Sequence, residues 1–145
     1  MPSASLPDQP CILCGHDARI RLNEQLMCAA CEWPVGASPD FELIAPRADV
    51  VYYLRFRDRV KIGTSANPRR RLTAIKHDEL LAFERGDRTL ERARHAQFAE
   101  LRLERSEWFI FGPALQRHVE TLAGSTSDPW RTYARFVKDC YLDRM

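Results

Sequence analysis

Short stretches of alternating or uniformly apolar positions are separated by segments with helical spacing. Asp49 to Phe56 is rich in β-branched and aromatic residues and reads as a strand. Arg57-Asp58-Arg59 permits a tight reversal, and Val60-Lys61-Ile62-Gly63 returns as a second strand. Asn67-Pro68 is a helix entry, with asparagine as cap and proline in the first turn, for a helix from about Arg69 to Ile75. Leu80-Leu81-Ala82-Phe83, apolar on both faces, predicts a third and central strand. Asp87 caps a longer helix from Arg88 to about Leu103, whose inward stripe is Leu90, Ala93, Gln97 and Leu101. Beside that stripe, Glu91, His95, Phe98 and Arg102 share a narrow edge, so a carboxylate, an imidazole and a guanidinium line up on one helix. Ser106 to Phe111 reads as a last short strand or edge segment. Ala114–Leu122 and Trp130–Tyr141 read as helices that cover the core.

The first fifty residues obey different rules. They hold few large apolar groups, too few to fold firmly without a staple. They do hold Cys11-x2-Cys14 and, after thirteen residues, Cys28-x2-Cys31. Two such knuckles bring four thiolates to one tetrahedral zinc, and the metal's binding energy then becomes folding energy. With no open position, that zinc is structural. Ala18 to Met27 forms a hairpin turning at Asn23-Glu24, and Gly15 suits the turn of the first knuckle. Cys140 stands apart as a free thiol. The predicted organisation is a flexible arm over 1–10, a zinc ribbon over 11–35, a linker over 36–48, a core domain over 49–112 and a helical extension over 113–145.

Composition narrows the setting. Hydrophobic residues at 45% and aromatics at 10% suit a folded, soluble chain of 145 residues. No apolar run approaches the roughly 18 residues of a membrane span. The N-terminus lacks the basic start and apolar core of a secretory signal, so a cytoplasmic, reducing setting with metal-bound thiolates is expected.

The net charge of +2 conceals an asymmetry. Residues 1–50 carry three basic and seven acidic side chains, and residues 51–111 carry fourteen and nine. Eight of the basic groups fall within residues 55–76, against the single acid Asp58. Such a patch draws a polyanion. Arg55, Arg57, Arg59, Arg69, Arg70 and Lys76 are the expected phosphate contacts, which position a strand without reading its bases. The acidic ribbon is the expected dock for a protein partner. A monomer or weak dimer is expected.

Val51-Tyr52-Tyr53, Lys61-Ile62-Gly63, Asn67 and Arg71-Leu72, followed by Glu91, His95 and Glu107-Trp108-Phe109, resemble the GIY-YIG nuclease superfamily, and most closely its phage-associated T5orf172 or Mug113-like branch. The resemblance covers about residues 50–111. It implies an α+β fold with a small three-stranded antiparallel sheet flanked by helices. It also implies cleavage of DNA phosphodiesters with one divalent ion, Mg²⁺ or Mn²⁺. By position, Tyr53 matches the tyrosine of the first tripeptide and Lys61 stands where the superfamily has its second tyrosine. Arg71 matches the helix arginine and Glu91 the metal-binding glutamate.

Val51 and Lys61 depart from the superfamily pattern, and lysine is no phenol. It either binds phosphate or, with a lowered pKa, helps deprotonate water. Tyr53 is expected to orient or activate the attacking water. His95 is either an alternative base or a hydrogen-bonded residue fixing the helix edge. Gly63, Arg102 and Glu107 support the site. Strand alternation sends Tyr52 opposite Tyr53 and into the core, an assignment that a one-residue shift of register exchanges. Trp108 and Phe109 are read as packing residues. The expected activity is a metal-dependent endonuclease or nickase. The rival readings are a catalytically weak DNA-binding module, or a zinc-ribbon adaptor on a larger nucleic-acid machine.

Overall fold

The computed structural model describes residues 9–39, 48–124, 126 and 128–144. Residues 1–8 of the arm predicted over 1–10, and residues 40–47 of the linker predicted over 36–48, lie outside the described residues. The chain divides into two units: Asp49–Pro129, and the N-terminal segment to Ala48 together with Trp130–Met145.

In the first unit, β3 (Val50–Phe56) and β4 (Arg59–Ser65) form an antiparallel hairpin across the two-residue turn Arg57-Asp58. α1 (Pro68–Arg71) follows, capped by the Asn67 side chain, and tightens into a 3-10 turn over Leu72–Ala74. Then come β5 (Glu79–Arg85), α2 (Arg88–Gln97), β6 (Trp108–Ile110) and α3 (Pro113–Ala123). The sheet order is β5-β3-β4-β6. It therefore has four strands rather than the expected three. The fourth is the short Trp108–Ile110 segment, which pairs with β4 in the register Lys61↔Trp108 and Val60↔Phe109. The strand expected to be central, β5, is an edge. It is apolar because helices cover it, not because strands flank it.

β3 is the strand buried on both sides, and Val50 to Leu54 are all almost inaccessible. Val51 and Tyr53 join Val60, Ile62, Ala82, Phe98, Phe109, Leu115 and Val119 in one cluster beneath α2 and α3. Tyr52, paired with Gly63 and Phe83, faces the other way. α2 is turned about its axis relative to expectation. Ala93 and Gln97 are exposed, whereas Leu90, Arg94, His95, Phe98 and Leu101 face inward.

The cluster carries one buried polar network. Tyr53 Oη donates to Glu84 Oε1 at 2.9 Å and lies 3.0 Å from His118 Nε2. Arg94 forks onto the same carboxylate through Nε and a guanidinium nitrogen. Burial opposes the charge on Glu84, but the hydrogen bonds from Arg94 and Tyr53 outweigh it and hold the carboxyl below its ordinary range. Burial, with Arg94 nearby, also pushes His118 down, so it stays neutral.

The second unit is a ribbon and a helix. β1 (Arg19–Leu22) and β2 (Gln25–Cys28) pair antiparallel, as the alternation predicts. Asn23 and Glu24 both adopt positive φ, at 49° and 66°, as a two-residue hairpin turn requires. α4 (Pro129–Arg144) buries Tyr133, Ala134, Val137 and Tyr141 at the expected helical spacing. It does so in the ribbon unit, however. The Trp33 ring meets Tyr141 edge-on at 5.6 Å, Arg135 pairs with Glu32 at 3.0 Å, and Lys138 Nζ donates to the Cys31 carbonyl at 2.7 Å. The single C-terminal extension read from the sequence thus divides. α3 completes the sheet unit and α4 buttresses the ribbon, which has too little apolar surface to cover itself. Among the described residues, no helix is long and apolar enough to cross a membrane.

Glu84→Gln leaves Arg94 with half a partner in a largely buried place. It should lower the unfolding free energy by about 2–4 kcal/mol in urea titrations. Stability should also fall on acidification in two steps. The unfolded chain takes up the proton that folded His118 resists, so the first loss begins below its ordinary value of 6.5. The second begins below 4.5, as Glu84 is forced to protonate. His118→Gln should erase the first step and spare the second.

Candidate active site

The sheet face opposite the main cluster carries Tyr52 and Lys61, whereas Thr64, which holds Glu91, falls with Ile62 on the cluster face, so Glu91 and His95 approach from the α2 side. Tyr52 stands directly across from Gly63, and a Cβ there would come within 2.6 Å of Tyr52 Cζ. Only glycine lets the phenol lie flat against β4. Burial pushes the Tyr52 pKa up; a hydrogen bond and the positive charge of Arg71 pull it down; Glu107 and Glu91 push it up again. The net direction is upward. Arg71 thus lies against the phenol, and the two carboxylates act on it only through their charge.

Tyr52 and Tyr53 are both buried, but on opposite faces: Tyr53, expected at the site, enters the main cluster, and Tyr52, expected in the core, lies against Arg71 on the other side. Tyr53 is fully buried and tied to Glu84 and His118, and its phenol is pushed well above the ordinary range by burial first and by Glu84 next. The physical reason is the period of two in a strand, with a register one residue from that assumed.

Glu91 lies in the first turn of α2, and Thr64 Oγ1 donates a short hydrogen bond to its Oε2. One turn later His95 Nε2 lies 2.8 Å from the Ile62 carbonyl, and its ring packs on Phe109 at 5.1 Å. A carbonyl oxygen only accepts, so Nε2 carries the proton and donates. His95 thus pins α2 to β4 and sets the position of Glu91; of the two expected roles, the geometry favours the anchor.

Lys61 Nζ pairs with Glu107 at 3.3 Å on the same face as Tyr52. Arg102 does not join this group. α2 ends at Gln97 and the chain is extended at Arg102, so the helical edge projected from Glu91 stops short. Arg102 instead donates through Nε to the Ser106 carbonyl at 2.7 Å and closes the following turn.

The basic residues separate likewise. Arg70 and Arg71 line a recess of about 410 Å³ with Ser65, Asn67, Thr73 and Ala74. Ser65 also borders a second recess of about 230 Å³, walled by Asp49, Thr64, Ala66, Asp87 and Arg88. Arg69 follows Pro68 on the same short helix. Arg55 is the exception: it pairs with Glu79 at 3.1 Å and Asp78 at 3.7 Å, on the strand face shared with Tyr53, and is neutralised there. Arg57 and Arg59 are exposed at the hairpin, and Lys76 is exposed beyond α1. Sequence reasoning passed over Thr64, although its step beside Gly63 on β4 was available as a signal. Glu84, Arg94 and His118 were also missed, because their meeting needs three separate elements.

In the ribbon, Cys11, Cys14, Cys28 and Cys31 bring four buried sulfurs within 4.8 Å of one another. Cys11 and Cys31 Sγ are 3.8 Å apart, and Cys14 and Cys28 Sγ are 3.6 Å apart. Four sulfurs at about 2.3 Å from one ion stand about 3.8 Å apart, so the cluster is compatible with zinc. The two knuckles repeat each other. Gly15 N–H donates to the Cys11 carbonyl and Glu32 N–H to the Cys28 carbonyl, with φ of 83° and 63° at the donors.

The family model described as the T5orf172 domain matches residues 49–122, the sheet unit through most of α3. No curated protein matches the chain, and no solved structure does.

Gly63→Ala should cost about 1–3 kcal/mol by overpacking. Combined with Tyr52→Ala the cost should largely vanish, and combined with Tyr53→Ala it should add. A double-mutant cycle on thermal unfolding reads the coupling directly.

Proposed function

Because the chain belongs to the T5orf172 domain family, which is nuclease-related, we propose that its sheet unit hydrolyses DNA phosphodiester bonds as a divalent-metal-dependent endonuclease or nickase. The observation that supports this reading is that Arg71, lining a basic recess, lies against the Tyr52 phenol, with the Thr64-held Glu91 close enough for its charge to act on the same phenol. Hydrolysis adds a water oxygen to phosphorus, breaks the bond to the leaving oxygen and returns a proton to that oxygen. The added negative charge must be met as it develops.

Arg71 forks onto a non-bridging oxygen, which its planar donors fit. Arg70, in the same recess, holds a neighbouring phosphate and sets the register of the strand. Tyr52 orients the attacking water and, when ionised, accepts its proton; burial raises the phenol's pKa and keeps that form scarce at neutral pH. Lys61, held by Glu107, adds positive charge to the same face.

The donor set fits a hard ion. Glu91 offers one carboxylate oxygen, and Mg²⁺ commonly takes one or two carboxylates, with waters and substrate phosphate filling its remaining positions. When bound, Mg²⁺ or Mn²⁺ supplies charge neutralisation at the phosphoryl and leaving oxygens. Thr64 and His95 act through Glu91 and are positioning residues.

The four cysteines hold one structural zinc in this reading. The acidic residues of the N-terminal segment make the ribbon a docking module for a protein partner rather than a phosphate contact.

Supercoiled plasmid incubated with Mn²⁺ should be nicked. Glu91→Gln should abolish nicking while DNA binding survives, and Tyr52→Phe should slow it by at least about 100-fold, the scale of a single acid–base group. The wild-type rate should climb on the alkaline side as the raised Tyr52 phenol ionises, and Tyr52→Phe should remove that limb. Binding without any cleavage, in every metal and on every DNA form, would instead favour a DNA-binding module in which the Lys61–Glu107 pair replaces a catalytic phenol.

Metal analysis of the purified chain should find one zinc per chain. Chelation at neutral pH should abolish the near-ultraviolet signal of Trp33, while β3 to β6 keep their far-ultraviolet signature.

A further inference from the structure

The catalytic face of the sheet does not end at Lys61. Trp108 stands directly across β4 from Lys61, and Phe56 meets Trp108 edge-on at 6.4 Å between centroids. Both rings lie on the Tyr52 side, whereas Phe109, one residue from Trp108, is fully buried in the core. Neither Trp108 nor Phe56 is fully buried. Three cations lie over them. Lys61 Nζ is 5.8 Å from the Trp108 ring, Lys76 Nζ is 5.7 Å from the Phe56 ring, and the Arg57 guanidinium carbon is 5.3 Å from it. About one significant cation–π contact per 70–80 residues is ordinary, so three on two adjoining rings is a concentration.

We propose that Trp108 and Phe56 form a base-stacking platform for unpaired nucleotides, with Lys61, Lys76 and Arg57 moving from the ring faces to the adjacent phosphates. The proposal rests on the hydrolytic reading of the neighbouring site and specifies its substrate: a strand that is single or splayed at the cut, as at a flap, fork or gap. Duplex bases are already stacked on both faces and cannot use the rings. Flat aromatic surface among cations suits a single strand, whose bases are free and whose phosphates run alongside.

Position supports the same conclusion. Phe56 is four residues from Tyr52 on β3, about 13 Å along a strand, and Lys61 is two from Gly63, about 7 Å. The platform therefore lies on the Tyr52 face, about two to four residues along the strands from Tyr52 and Gly63.

The test uses the full chain carrying Glu91→Gln, without added divalent ion, and labelled oligonucleotides of one sequence, single-stranded or annealed. The parent should prefer the single strand. Trp108→Leu should weaken single-strand binding about tenfold and duplex binding less than about twofold, and Trp108→Phe should restore most of the loss. In a Trp33→Phe/Trp130→Phe background, emission from Trp108 should be quenched by single strand and not by duplex.

Equal weakening of both forms, no weakening of either, or emission indifferent to saturating single strand overturns the platform. None of these readings needs turnover. A chain that binds in this way and never cuts therefore refutes the hydrolytic assignment alone, and a chain that cuts with no Trp108-dependent preference refutes the platform alone.

Discussion

Everything in the sheet unit depends on the alternation of β3. A strand inside a sheet sends successive side chains to opposite faces, and here both faces are occupied. Val51 and Tyr53 go down into the cluster under α2 and α3, while Tyr52, Leu54 and Phe56 go up toward α1. Two adjacent tyrosines thereby acquire different chemistry. One is locked to Glu84 and His118 as part of the scaffold, and the other shares its surroundings with Arg71, Glu91 and Glu107.

The two faces are linked by α2. Its inward side carries Arg94 toward the Glu84 network, His95 to the backbone of β4, and Glu91 to Thr64 at the strand end. Thr64 pairs with Val51 across the hairpin, so the carboxylate is anchored to the same two strands that present Tyr52. Such a site is held by rigid elements, and the apolar cluster that fixes the helix also fixes the carboxylate. The T5orf172 match spans these same elements, from β3 into α3, and supports a nuclease-like or DNA-binding role.

The ribbon unit solves a different problem. Its hairpin exposes Ile20 and Leu22 and buries little besides the four sulfurs, Leu13 and Ala30. α4 supplies what is missing. Its apolar stripe and its Lys138 cap on the Cys31 carbonyl cover one knuckle. That association joins residues more than a hundred positions apart, which is why a reading along the chain assigned α4 to the sheet.

Much was legible from local pattern. The knuckle spacing, the hairpin turn at Asn23-Glu24, the Asn67-Pro68 and Asp87 caps, the strand–strand–helix–strand–helix order and the residues carrying the family resemblance all follow from interactions within a few positions. The apolar spacing of α4 was equally plain, but not its destination. What local pattern could not decide was phase and partnership. Whether Tyr52 or Tyr53 faces the site depends on which side of β3 the larger cluster occupies. Whether Arg102 continues the edge of α2 depends on where packing of Phe98 ends the helix, and whether Arg55 meets phosphate depends on the carboxylates brought up by β5. The last short strand read over Ser106–Phe111 is present, but only the assembled sheet shows that it pairs with β4 as a fourth strand. Periodicity specifies the relation of a residue to its neighbours in sequence, and only the assembled sheet specifies which face is inside.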